Sequence, residues 1–560
     1  MSDRADNIFT AILAGGNLSW LRWGAAALAQ AQEREVPIMV LCGEACDHWS
    51  AVLAAELHAD AAVQELLGGL FVAVVAERLE DPALAARCQE VLALRADASG
   101  FPLIAFATPT GEFFGAVPWR PLHDREQQVG LTRILVAVAE TWADDRDAIL
   151  ADATEVQRLL SIASQRLSGS GKPLRPQLLL ESAESALVGL GDSLEGGFGP
   201  TPRSLGTAAV RFLAARARRE DAPLALIRLL ERTVLAWAHG AVCDQLGGGM
   251  HRGSVDAGWR QPFFEQRLID QAQTALAWLD AAEALDRPAL RVAAERCLRW
   301  TIDHLRLTVD TYAAGFHADA PGVDGQLHQG AYQCWTIAEI ASFIGEDAAD
   351  LVVERFALSD APIIDGAQAL AVRAPVTPGS EVRLAAALQR LAVARSERTP
   401  PLRDERPDQR GEGLLLCALA RLRSDHADLA TAGAALAERY LHAEPVAPAA
   451  GDGAAVALGL VAWSGATSAA RAWLASEARH RDERGRVQVG AERFLEPAPL
   501  AAVDDDRGDS AAALAAEAYL RCGDDQAAHA LLVAHGGVLT HGAAAAGLLR
   551  VLDGLAHTSF

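Results

Sequence analysis

Short apolar runs alternate with helical periodicity over the first 123 residues. Residues 25–35 place apolar positions at helical spacing, and Pro37-Ile-Met-Val-Leu-Cys42 is short and apolar enough for a buried strand. A helix is predicted through Leu67 and a second buried strand over residues 70–76. Residues 101–107 and 112–117, separated by Thr108-Pro-Thr-Gly111, predict a hairpin. The pattern is helical from Glu126 to about Leu167, and Ser168-Gly-Ser-Gly-Lys-Pro173 reads as a linker. Beyond it, Ala/Leu-rich helical stretches alternate with Gly, Pro and Asp breaks. Antiparallel helix pairs that cannot bury their apolar faces alone must stack or close on themselves. About six such hairpins closing into a ring are predicted. The implied division is 1–125, a helical connector and linker over 126–170, and an all-helical 171–560.

Composition agrees with a large core, since 51% of the residues are apolar. The formal net charge of −23 repels nucleic-acid phosphates and anionic lipid heads, so neither nucleic acid nor membrane is an expected partner. The longest uncharged stretch, 453–470, is interrupted by Gly, Ser and Thr and reads as a buried helix. No basic-then-apolar leader opens the sequence, and the eight cysteines are scattered without metal-site spacing. Both point to a cytoplasmic protein without a bound metal or cofactor.

Two stretches carry a resemblance. The first is Asn17-Leu-Ser-Trp20-Leu-Arg-Trp23-Gly24 with Pro37, Gly100-Phe-Pro-Leu103 and Thr108-Pro-Thr-Gly111. The second runs from Asp244-Gln-Leu-Gly-Gly-Gly249 through His251, Arg252, Ser254, Asp256, Trp259, Pro262, Phe264, Glu265 and Leu268 to Asp270. Together they resemble the YyaL-type family, which includes the spermatogenesis-associated thioredoxin-domain proteins. The resemblance implies an N-terminal α/β thioredoxin-like domain and a large all-α (α/α) toroid similar to six-hairpin glycosidases and N-acylglucosamine epimerases. The order of strand, helix, strand and hairpin suits the first, with Phe101-Pro102 where that fold holds a cis proline. The family's Cys-His-Trp-Cys loop falls on Asp47-His48-Trp49-Ser50. Dithiol exchange needs a second thiol, so a structural domain is expected and thiol–disulfide chemistry disfavoured. The family's Ser-Trp-Asn-Gly falls on Arg410-Gly-Glu-Gly413, a further departure.

The polar, glycine-rich segment 243–270 has the composition of a ring's rim. Glu265, Asp244, Asp256 and His251 are the candidate acid/base groups, two carboxyls for glycoside hydrolysis or His251 with Glu265 for epimerisation. Gln245, Arg252, Asp270 and the aromatic Trp259, Phe264, Tyr332 and Trp335 are the candidate binders of a small molecule, a sugar by the resemblance. The same residues suit a structural ion-pair and capping network, with the aromatics in the core. Two functions are therefore expected to compete: a carbohydrate-active hydrolase or epimerase, and a catalytically degenerate member that binds a ligand or a partner protein.

Overall fold

The computed structural model describes every residue except 1–6, 172, 360–363, 365–366, 490–494, 496–498, 501–507 and 559–560. The chain forms two compact units, Met1–Ser168 with Val487–Ala501, and Gly169–Arg486 with Ala502–Phe560.

The first unit is built on a sheet of β1 (Ile38–Gly43), β2 (Val72–Glu77), β3 (Leu103–Ala107) and β4 (Phe113–Pro118), ordered β2-β1-β3-β4. β1 pairs parallel with β2 and antiparallel with β3. All of β1, β2 and β3 is buried, which is why each reads as an unbroken apolar run rather than an alternation. Alternate residues feed two cores. Ile38, Val40 and Cys42 join α2 (Ala25–Arg34) and α5 (Pro82–Ala96) on one face, and Met39 and Leu41 join α1 (Ile8–Ala14), α3 (His48–Ala59) and α4 (Ala61–Leu70) on the other. Helix α5 joins β2 to β3, where the sequence pattern predicts no element. The helical stretch after Glu126 is two helices, α6 (Leu131–Asp144) and α7 (Arg146–Leu167), broken where Asp145 caps α7. Leu131, Leu135, Trp142, Ile149, Val156 and Leu160 pack into the cores of this unit, so a stretch expected as a connector is part of its hydrophobic structure. The Phe101–Pro102 peptide is cis.

The second unit is a closed double ring of helices. In chain order come α8 (Pro176–Leu190), α9 (Thr207–Ala217), α10 (Leu224–His239), α11 (Leu268–Leu285) and α12 (Pro288–Leu305). An inserted group follows, α13 (Ile337–Ile344), α14 (Glu346–Phe356) and α15 (Glu381–Ser396). Then come α16 (Gln409–Ala420), α17 (Ala427–His442), α18 (Asp452–Ser464), α19 (Thr467–Glu477), α20 (Ala511–Arg521), α21 (Asp525–Ala534) and α22 (Ala546–Thr558). Helices α9, α11, α16, α18, α20 and α22 pack each on the next, and α22 on α9 closes the inner ring. Helices α10, α12, α17, α19, α21 and α8 form the outer layer. Because one outer helix returns the chain between successive inner ones, the six inner helices run the same way. Small residues permit the close approach: a Cβ on Gly413 of α16 would stand 2.4 Å from the Ala455 backbone of α18. Helix α18 is the uncharged stretch of the sequence, and Gly465 in a left-handed conformation ends it. The insertion has its own core of Trp335, Ile340, Val352, Phe356 and Leu391. Among the described residues, no single helix is long and apolar enough to cross a membrane.

Charged side chains of the inner helices meet in one network. Arg211 of α9 binds Asp280 of α11 at 3.0 Å and Asp509 at 2.6 Å. Arg550 of α22 binds Asp509 and Glu517 of α20, each at 2.8 Å, and Arg421 binds Asp280 at 2.5 Å. Burial raises the Glu517 carboxyl, but Arg550 and Arg211 outweigh it and hold it well below the usual carboxylate range. Four arginines, Arg211, Arg421, Arg521 and Arg550, are ion-paired with the three carboxylates Asp280, Asp509 and Glu517.

Candidate functional site

The rim segment begins with a tight turn. Asp244 N–H donates to the Gly249 carbonyl, and His251 N–H donates to that of Val242. Gly248 has φ +102°, and a Cβ on Gly249 would stand 2.5 Å from the Trp300 indole, so side chains are refused at both positions. Gln245 secures the turn from within, its amide N–H groups donating to the carbonyls of Ala238, Gly240 and Cys243. That occupies the group expected to bind a ligand.

Asp244, His251 and Glu265 come together, all buried. Asp244 is ion-paired with Arg395 at 2.7 Å. Burial pushes its carboxyl up, but Arg395, with the Gly247 amide and His251, brings it down to about 2. Burial lowers the His251 imidazole below its ordinary value, while Asp244, the Phe264 carbonyl and Glu265 oppose that shift. His251 Nδ1 lies 3.1 Å from the Phe264 carbonyl oxygen. Only a protonated Nδ1 can bond there, which leaves Nε2 as the proton-accepting nitrogen of the neutral ring. Glu265 Oε2 lies 3.2 Å from Arg252 Nε, and the guanidinium stacks over Phe263 at 4.3 Å. Glu265 is 1% exposed, and neither of its carboxylate oxygens has a hydrogen-bond partner. It lies between two short strand segments, Pro262–Phe263 and Gln266–Arg267, three residues ahead of α11 rather than at the helix terminus itself.

Asp256 does not join them. Its carboxylate accepts from Ser254 Oγ at 2.9 Å and from the N–H groups of Gly258, Arg260 and Gln261, so it organises its own loop. Asp270 is held by Arg267 at 2.7 Å and also serves structure. Trp259 is buried and donates its indole N–H to the Glu195 carbonyl. Phe264 packs with Ala318 and Cys334, and Trp335 lies in the core of the insertion under Arg398, 3.8 Å from its ring centroid. Of the two readings open for these three aromatics, sugar stacking and core packing, the structure shows the second. Tyr332 is half-buried, and Arg395 lies over its ring at 5.2 Å.

Arg395 was missed from the sequence. It comes from α15, 151 residues from the carboxylate it binds, and no local pattern links them. In the thioredoxin-like unit, Asp47 and Ser50 form a helix cap where the family carries its thiols. Asp47 accepts from Ser50 N–H at 2.7 Å and from Ser50 Oγ at 2.8 Å, which starts α3. Cys42 and Cys46 are buried, and burial, with Cys88 beside it, holds the Cys42 thiol far above its ordinary value.

A family described as Thioredox_DsbH, protein of unknown function DUF255, matches residues 9–161. Spermatogenesis-associated protein 20 of Homo sapiens is 25% identical over 336 residues, 59% of this chain and 42% of the human protein. The Rattus norvegicus protein of that name is 23% identical over 367 residues, 63% of this chain and 46% of its own length. The matched part of the chain thus spans less than half the length of these relatives. Among solved structures, a GH63 mannosylglycerate hydrolase from Thermus thermophilus is 14% identical at a TM-score of 0.36, covering 68% of this chain and 99% of its own. A family 76 mannosidase from Bacteroides thetaiotaomicron is 11% identical at 0.24, covering 63% and 97%. The chain is thus similar to the Thioredox_DsbH (DUF255) family over residues 9–161 and to the spermatogenesis-associated proteins 20 over about three fifths of its length.

Proposed function

We propose that the toroid is a binding site for a hydroxyl-rich small molecule of the sugar class, with His251 as its proton-transfer group. The observation that carries the reading is Glu265, a buried carboxylate with both oxygens free of hydrogen bonds beside a single arginine. A native structure seldom buries such a group without a task for it. Sugar hydroxyls would donate to those oxygens, and Arg252 can donate to sugar oxygens in turn. His251 Nε2 would take a proton from a carbon next to a carbonyl, and the Asp244 and Glu265 carboxylates would stabilise the imidazolium. Returning that proton to the other face is epimerisation. Glycoside hydrolysis fits less well, because Asp256 is committed to its loop and Asp244 to Arg395, which leaves Glu265 without a second carboxyl.

A second reading, a catalytically degenerate member that binds a ligand without turning it over, is favoured by the closure of the rim around Asp244, His251 and Glu265. Proton NMR of N-acetyl-D-glucosamine, D-mannose and D-glucose in D2O with the full chain separates the two. Catalysis predicts deuterium entering the sugar next to its carbonyl carbon, slowed about 10²–10⁴-fold by His251→Asn. Sugar that binds without ever gaining deuterium supports the second reading and sinks the first.

A further inference from the structure

We infer that the ring axis holds a second polar contact site, formed by Gln273 and Asp509, for the hydroxyl groups of an uncharged sugar-like molecule. The inference rests on the reading of the toroid as a sugar-binding ring and adds a contact outside the rim. Gln273 lies on α11 seven residues before Asp280, and two helical turns put both on the face turned to the axis. Asp280 takes part in the ion-pair network there, whereas Gln273 is 1% exposed and neither its Oε1 nor its Nε2 has a hydrogen-bond partner. Burying an amide with both ends unbonded is unfavourable.

The chain leading into α20 comes directly against it. Gly508 has φ +89°, and a Cβ there would stand 2.7 Å from Thr207 Oγ1 and 2.8 Å from the Gln273 amide carbon. The next residue is Asp509, fully buried, with Oδ2 taken by Arg211 and Arg550 and Oδ1 without a partner. Two acceptors, Gln273 Oε1 and Asp509 Oδ1, and the Gln273 amide donor thus stand where the chain at Gly508 meets α11. A hydroxyl donates and accepts at once, so a carbohydrate meets both needs. Asp509 disfavours an anion at this position, and Arg211 and Arg550 disfavour a cation.

The test titrates the full chain with D-glucose and N-acetyl-D-glucosamine by saturation-transfer NMR, beside thermal melts of each variant. Wild type should bind saturably, and Gln273→Leu should weaken binding about tenfold or more while melting at the same temperature or higher, because an apolar side chain of similar shape leaves no amide to satisfy. Gln273→Met repeats the test should leucine misfold. Binding lost in Glu265→Gln but kept in Gln273→Leu and Gln273→Met overturns this inference and spares the rim. Binding lost in the Gln273 variants but kept in Glu265→Gln supports it and counts against the rim. Melting lowered by several degrees in both Gln273 variants overturns it as well, since it would mean that ordered water or protein already satisfies the amide. No binding of either sugar to wild type overturns it together with the rim reading.

Discussion

Arg395 and Arg252 each hold a buried carboxylate, but water reaches them differently. The side chains of Arg395 and Asp244 are 8% and 7% exposed, whereas Arg252 is 21% exposed against 1% for Glu265. Removing a charge from the first pair strands a buried guanidinium, and Asp244→Asn should cost about 3–5 kcal/mol in urea unfolding. Arg252 can turn toward solvent, so Glu265→Gln should cost only about 1–2 kcal/mol. Equal losses from the two would show that Glu265 is as structural as Asp244. The sequence made one of these pairs readable. Arg252 and Glu265 stand thirteen positions apart in one polar segment, and an ion pair between them was one of the two readings open there. The Arg395 pair was invisible because it depends on how the insertion folds back. Asp256 misled because an aspartate that caps a loop and one that faces a ligand look alike in composition.

Asp47 opens α3 by capping Ser50, and Asp47→Ala should lower stability by about 1 kcal/mol, read as a shift in melting temperature. The same cap stands where dithiol exchange would need cysteines, so the chain should not catalyse insulin reduction by dithiothreitol. Turnover abolished by Cys46→Ser would contradict that. At the start of α18, burial, then Glu477 and Asp408, push the Asp452 carboxyl up to about 7. Glu477 accepts from the Gly453 amide at 3.0 Å, Tyr440 faces the group from α17, and Arg410 on α16 partly offsets the repulsion. The folded value lies above the unfolded one, so the stabilising effect is present in acid and lost as pH rises through about 7. Thermal melts should fall from about pH 4 to about pH 7 and level off above that, and Asp452→Asn should flatten the fall. Asp452 keeps part of its surface at the solvent, which makes the slope modest. Element types were legible where an apolar run was unbroken, as in β1 and α18. The insertion of α13 to α15 was not, because its helices follow the same 3.6-residue period as the ring's own.

The whole toroid is legible as repetition: alternating helices that cannot bury their faces alone, closed when α22 meets α9. Repetition does not reveal what lies on the axis. Arg211, Asp280, Glu517 and Arg550 are scattered over 340 positions of the sequence, and only ring closure makes them neighbours. The mixture of tied and untied polar groups is what separates a structural core from a site. Asp244, Asp256 and Asp270 are hydrogen-bonded by arginine or backbone, whereas Glu265, ion-paired with Arg252 at 3.2 Å, and the Gln273 amide make no hydrogen bond. A crystal structure of the full chain soaked with D-glucose and N-acetyl-D-glucosamine tests that distinction most directly. A sugar is expected in the toroid with hydroxyls on the Glu265 carboxylate and on Arg252, and Asp244 still clamped by Arg395. A ring without sugar at saturating concentration would contradict it.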